Sequence, residues 1–483
     1  MTLGFESATR LAARIRAGEI SARELTDYFI GRIEKHDGAI NAVVVRDFER
    51  AREAAAHADD AQARDESLGP LHGLPMTIKE AYDLAGTPTT WGIPDFEKNV
   101  ATADAAMVAS FKAAGAHFLG KTNVPINLAD FQSYNDIYGT TGNPWDTERT
   151  PGGSSGGSAA ALAAGLTGLE SGSDIGGSIR NPSHFCGIYG HKPTWGIVPD
   201  EGHALPGMDA PTDIAVVGPM ARSAEDLALC MDLVAGANRF QRGGWKLALT
   251  RPDWNRIEGL RIAVWPTDDV APVATEVADR VQQVADRLAQ KGATVSDTAR
   301  PSFDVMRASE TYIAMLNGVI SAGMPDDVFA AMQAGAAGLD PNDRSFTALS
   351  VRAAVQSHRD WVRQDHARAR LRLAWRAFFD DWDLLLCPVT ATPAFPHDHS
   401  PAGTRQLEVD GVAQSYFQQI FWAGLITVGH LPSTIFPTGP SASGLPIGLQ
   451  AVSAEYNDYG CIDFARLAAD EFGGFAPPPG YDD

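Results

Sequence analysis

The sequence predicts an α/β protein, a single large domain with a central mixed, largely parallel twisted sheet covered by helices. Three observations carry this reading. Short apolar strands alternate with amphipathic helices along the whole chain, the pattern of a parallel or mixed sheet wrapped by helices. Hydrophobic residues are 44% and charged residues 20% of the 483 positions, an ordinary globular composition. Length alone suggests two or three domains. Yet there is no internal repeat, and only the Gly/Pro-rich loop 237–257 offers a boundary.

Two amphipathic helices open the chain. The second starts at a capping box, Ser21 with Glu24 three residues on, and lines up Leu25, Tyr28, Phe29 and Ile33 on one face. "INAVVV" (40–45) reads as a strand, 48–65 as an Ala- and charge-rich helix, and "GLPMTIKE" as a short apolar strand reaching Lys79. "MVASFKAAGAHFLGK" gives a helix, a glycine turn and a short buried strand at 117–119. "GSAAALAAGL" (157–166) is a helix with little side chain to hold neighbours away, so it packs closely against them. A helix capped by Ser223 comes next, then a strand at 260–265 and a helix carrying Val273, Val277, Val281, Val284 and Leu288. Long helices occupy 346–380, and strands fall at 383–388 and 446–452. Gly/Pro-rich loops remain at 199–213, 237–257 and 391–405.

The net charge of −21 argues for solubility and against nucleic acid or an anionic membrane surface as partner. Cys186, Cys230, Cys387 and Cys461 are far apart and form no CxxC pair, which suits reduced thiols in a cytoplasmic protein. The N-terminus lacks the basic-then-apolar order of a signal peptide, and no run approaches the roughly 18 uncharged apolar residues of a membrane span.

Glycine-fenced serines stand out twice, in "GGSSGGS" (152–158) and in "SDIGGSIRNP" (173–182). Three chemistries use such bare backbone. "GAHFLGKT" (115–122) fits the phosphate-loop pattern, but His117, Phe118 and Leu119 read as a strand, and apolar bulk cannot wrap phosphates. "GSSGG" fits a nucleophile elbow at Ser155, with His430 available late in the chain as its base. A serine can also be activated by a neutral lysine, directly or through a bridging hydroxyl, and Lys79 ends an apolar strand where desolvation lowers an ammonium pKa.

Region 70–195 resembles the amidase signature family of Ser-cisSer-Lys hydrolases. The matching stretches are "PLHGLPMTIKE" (70–80), "GAHFLGKTN" (115–123), "YGTTGNPW" (138–145), "PGGSSGGSAAALAAGL" (151–166) and "GSDIGGSIRNPSHFCGIYGHKPT" (172–194). Beyond that region "GPMARSAEDL" (218–227), "LLLCPVTATPA" (384–394) and "GLPIGLQ" (444–450) also fit. The resemblance thus spans nearly the whole chain as one domain, 1–483, with a signature core near 70–195. Variable segments near 199–257 and 300–440 shape the substrate pocket. It implies Ser178 as nucleophile, Ser154 as the bridging serine with a cis peptide, and Lys79 as base. The backbone N–H groups of Ile175, Gly176, Gly177 and Ser178 converge as an oxyanion hole. Ser155, Asp174 and Arg180 support the loops. Glu80 stands where the family often has Asp, and "NVPIN" (123–127) lacks the acidic residue common after that proline.

The implied activity is an amidase forming an acyl-enzyme, on a small-molecule amide or a carbamate. The alternatives are an ester hydrolase, one component of a glutamine-dependent amidotransferase, and a non-catalytic binding protein on the same scaffold. Trp91, Trp145, Trp195 and "YFQQIFW" (416–422) are either core or the lining of a pocket for aryl or bulky apolar groups. No cofactor or metal is implied, since no HExxH or Cys/His ligand spacing occurs. A monomer or homodimer is expected.

Overall fold

The structure, a computed structural model, describes residues 2–66 and 69–482. The second helix of the chain, Ala22–Ile40, follows Ala8–Arg16 and starts at the expected capping box, with Ser21 and Glu24 each bonding the other's backbone. It ends at Asn41 in the left-handed region (φ 56°), where a short polar side chain is tolerated.

A three-stranded sheet follows, built from β1 (Val43–Arg46), β2 (Pro75–Lys79) and β3 (His117–Thr122) in the order β1-β3-β2. β2 and β3 are parallel and every residue of both is buried. Lys121 therefore lies inside a strand. Its Nζ donates to the Pro88 carbonyl and to Thr89 Oγ1, so the phosphate-loop pattern here is a strand end.

The larger sheet has eight strands: β4 (Glu170–Asp174), β5 (Tyr189–Lys192), β6 (Val216–Ala221), β7 (Arg261–Val264), β8 (Thr294–Ser296), β9 (Leu384–Cys387), β10 (Ser433–Pro440) and β11 (Pro446–Val452). Their order is β8-β7-β9-β11-β10-β5-β6-β4. The sheet is mixed, as the sequence predicts, but it is not largely parallel. Only β7 pairs in parallel, with β8 and with β9, while the other neighbours are antiparallel. For β10 and β11 the reason is connection length: they are joined by a short turn, which can return only an antiparallel strand.

Strands β4, β5, β6 and β10 carry no alternating pattern in sequence. The side chains of β4, β5 and β6 are all buried, so no solvent face exists to impose period two. β4 is "ESGSD", polar throughout and still buried. It runs beside β2, and Thr77 of β2 donates to Glu170 Oε1 at 2.7 Å.

Helix α1 (Gly156–Ala163) is the expected alanine helix, and it is entirely buried. A Cβ at Gly157 would lie 2.4 Å from the Asn123 nitrogen and 2.6 Å from its oxygen, so glycine alone lets α1 seat against the end of β3. Helix α2 (Arg180–Cys186) follows the loop after β4. On the far side stand α3 (Val305–Ile320), α4 (His358–Asp381) and α5 (Ile420–Val428), which build a second hydrophobic cluster around Tyr312, Trp375 and Trp422. The four cysteines are buried free thiols. Among the described residues no helix is long and apolar enough to cross a membrane.

Candidate active site

β2, the turn before α1 and the loop between β4 and α2 meet at one place, and they bring Lys79, Ser154 and Ser178 together. The Gly153–Ser154 peptide is cis. Lys79 Nζ lies 2.7 Å from Ser154 Oγ, 2.9 Å from Ser173 Oγ and 3.0 Å from Ser155 Oγ. Lys79 has no exposed surface, and burial pushes its pKa down to about 7, against the opposing pull of Asp174, Glu170 and Glu80. An amine that gives up its proton near neutrality can act as a base.

Exposure grades along the three candidates, from 0% at Lys79 and 1% at Ser154 to 8% at Ser178. Ser178 is thus the one nearest to solvent. Its carbonyl accepts from the Ser155 N–H at 3.2 Å, while no direct hydrogen bond joins its hydroxyl to Ser154 among the described residues. Hydrogen bonds of this kind are often long without substrate and tighten in the Michaelis complex.

Asp174 shapes the loop that carries Ser178. It accepts from the N–H groups of Gly177 (2.9 Å) and Ile179 (3.1 Å), and Arg180 grips it through Nε at 3.0 Å and Nη2 at 2.8 Å. Both partners are fully buried. Burial pushes the Asp174 carboxyl up, but the Arg180 charge and hydrogen bonds outweigh it and hold the pKa at about 2. Arg180 reaches on to the Ala423 carbonyl and Thr427 Oγ1 of α5. The Gly177 N–H is taken by Asp174, whereas among the described residues the N–H groups of Ile175, Gly176 and Ser178 donate to no protein acceptor.

Ser155 braces the turn: its Oγ accepts from Lys79 and from the Ser173 N–H (3.3 Å), and donates to the Ser173 carbonyl (3.4 Å). Glu80 points the other way, accepting from the Thr90 and Trp91 N–H groups and from Tyr138. Successive strand side chains face opposite sides, so Glu80 makes no hydrogen bond to the lysine and acts on it only through its charge.

Several residues here are not evident from the sequence. Ser173 contacts Lys79 directly. Asn181 accepts from the Gly153 N–H (3.0 Å) and donates to the Gly153 and Gly177 carbonyls, tying the two serine loops together. Ser133 accepts from the Gly156 N–H and donates to the Gly152 carbonyl. Tyr312 donates to the Ile175 carbonyl. "SGSDIGGSIRN" does contain Ser173 and Asn181, so loop chemistry is a signal that can find them. Nothing in sequence points to Tyr312.

His430 takes no part in this arrangement. It is buried at a left-handed turn (φ 58°), packed on Trp195 with ring centroids 4.7 Å apart. Ser155 is bonded to Lys79 and Ser173 instead. Trp91, Trp145 and Trp195 each donate to a backbone carbonyl, of Ala81, Cys186 and Thr212, as structural residues do. Within 416–422, Tyr416, Phe421 and Trp422 are buried in the second cluster. Ile420 faces the loop: its Cδ1 is 3.0 Å from where a Gly176 Cβ would stand.

Comparison with known proteins assigns the class, a hydrolase acting on carbon–nitrogen bonds. The Amidase family model matches residues 24–462, and the chain belongs to that family. It is 31% identical over 478 residues to the indoleacetamide hydrolase of Bradyrhizobium diazoefficiens, covering 97% of this chain and 86% of the relative. It is 32% identical over 476 residues to a glutamyl-tRNA(Gln) amidotransferase component of Moorella thermoacetica, covering 94% of each. The crystal structure of a bacterial aryl acylamidase of the amidase signature family superposes with a TM-score of 0.81 at 25% identity, over 99% of this chain and 97% of that one.

Proposed function

We propose that this amidase hydrolyses a carboxamide bearing an aryl or bulky apolar group, through an acyl-enzyme on Ser178. The observation that carries the reading is the Lys79 amine, buried, held near neutrality and 2.7 Å from Ser154 Oγ. Ser178 Oγ attacks the carbonyl carbon. Its proton passes to Ser154, whose own proton passes to Lys79. The N–H groups of Ile175, Gly176 and Ser178 hold the developing oxyanion. The reverse relay delivers a proton to the leaving nitrogen as the C–N bond breaks. Water, activated by the same base, then cleaves the Ser178 ester and releases the acid.

Apolar preference is supported by Ile175 in the glycine loop and Ile420 against it, with Phe417 and Phe346 partly buried around the same second hydrophobic cluster. Phe346 and Phe417 stack with centroids 5.4 Å apart. The indoleacetamide and aryl acylamide relatives fit the same preference. Esters and carbamates suit the same machinery. The amidotransferase relative makes glutamine a second candidate.

The test is labelling with a fluorophosphonate, followed by a panel of anilide, primary amide, carbamate, ester and glutamine substrates. Label is expected on Ser178 alone, Ser178→Ala abolishes acyl-enzyme formation, and the anilide is turned over fastest. Label on Ser155, or turnover by Ser178→Ala, overturns the mechanism. A preference for glutamine overturns the substrate class.

A further inference from the structure

Tyr312 sits on α3, in a part of the chain that carries no recognisable motif. It is buried, and its hydroxyl donates to the Ile175 carbonyl at 3.0 Å. Helix α5 makes room for it. A Cβ at Gly424 would fall 2.3 Å from Tyr312 Cδ1 and 2.5 Å from Cε1, so only glycine at that position admits the ring. The hydroxyl also lies 3.2 Å from where a Gly176 Cβ would be, with Ile420 at 3.0 Å, so the two side chains press together on the loop.

The peptide between Ile175 and Gly176 is trans. In a planar trans peptide the C=O and the N–H of one unit point in opposite directions. A hydroxyl that fixes the Ile175 carbonyl therefore also fixes the Gly176 N–H, aimed away from Tyr312. Asp174 grips the loop one residue further on, at the Gly177 N–H. The loop is thus anchored from the sheet side by a carboxylate and from the helical side by a phenol. We propose that Tyr312 is a positioning residue of the oxyanion hole, which aims the Gly176 N–H at the reacting carbonyl oxygen without touching the substrate.

This rests on the amide-hydrolysis reading, and the experiment separates the two. Wild type and Tyr312→Phe are compared for kcat and KM on an anilide, and for inhibition by a matching trifluoromethyl ketone, whose adduct with Ser178 carries an oxyanion. The phenylalanine variant is expected to lose roughly 10- to 100-fold in kcat, less than the roughly 100- to 1000-fold typical of deleting a donor outright. KM should change by less than about twofold, and ketone affinity should fall by the same factor as kcat/KM. The pH at which activity rises should not move. Should Tyr312→Phe fold poorly, its folded fraction is counted by fluorophosphonate titration and kcat and ketone affinity are read per labelled site, with the same pattern expected. Wild-type kcat, a loss confined to KM with ketone affinity unchanged, or a shifted pH profile overturns the proposal. A wild type that neither hydrolyses the panel nor takes label at Ser178 sinks the amidase reading and this proposal with it. A labelled, active wild type with an unaffected Tyr312→Phe sinks the proposal alone.

Discussion

On one side of the candidate site stand β2, β4 and the two glycine loops, all from residues 70–195. On the other stand α3 and α5, from the variable part of the chain. The first side is polar and buried: Lys79, Ser154, Ser155 and Asp174 have at most 1% exposure, the lysine bonded to the two serines and Asp174 to Arg180 and the N–H groups of its loop. The second is largely apolar, with Ile420 pressed against the loop, the Tyr312 hydroxyl bonded to the Ile175 carbonyl, and Arg180 reaching across from the first side to Ala423 and Thr427. Buried polar groups need nearly every partner in place, because an unpaired one costs its full desolvation. An apolar wall has no such accounting and tolerates change in shape. Chemistry is therefore expected to fail sharply on the first side, while substrate choice varies on the second.

Lys79 is where that contrast can be broken most decisively. Only the unprotonated amine can receive the proton, so kcat/KM should rise with pH through about 7 and then level off. Lys79→Ala should lose this limb together with most of the rate. Lys79→Arg should be equally inactive, since a guanidinium does not give up its proton in this range. pH–rate profiles, with circular dichroism to confirm folding, check both. Near-wild-type turnover by the arginine variant would reduce Lys79 to an electrostatic prop.

Next in size is Asp174→Asn, which leaves the buried Arg180 guanidinium without its counter-charge. Breaking a buried pair from one side typically costs about 3–5 kcal/mol. The sign with pH follows from the carboxyl's lowered pKa. Its contribution is present above the ordinary value of 3.8 and is lost as pH falls toward about 2. Chemical denaturation across the acid range should show a wild-type slope that the asparagine variant lacks. The smallest effect belongs to His430→Ala, which should leave kcat within about twofold of wild type, because the histidine supports no proton transfer in this scheme. A large loss of turnover would return the nucleophile-elbow reading to contention.

The two sides also differ in how far they can be read from sequence. Lys79, Ser154 and Ser178 are legible because rigidly spaced glycines mark the backbone around them. The alanine helix and β2 are legible from composition. Tyr312 is not, since its hydrogen bond joins residues 137 apart and depends on helices α3 and α5 folding against one loop. β4 is hidden for a related reason: "ESGSD" is buried by virtue of what it bonds, whereas periodicity reports only which side chains avoid water. The mixed sheet is as predicted, but its largely parallel sense is not met, because alternation of helix and strand does not by itself fix the direction in which a strand joins its neighbours.

Three serine hydroxyls surround the Lys79 nitrogen, and their number has a consequence for hydrogen counting. A charged lysine offers three protons and no acceptor, so all three oxygens would only receive. Once neutral, it has two protons and one lone pair, and one of the three hydroxyls must turn its hydrogen toward nitrogen. Ser155 directs its hydrogen to the Ser173 carbonyl, which leaves Ser154 or Ser173 to do so. When Ser154 is the one, its oxygen keeps lone pairs facing outward, ready for a hydrogen arriving from Ser178. The sense of the proposed relay is then set by how many hydrogens the ring of oxygens can share, before any substrate enters.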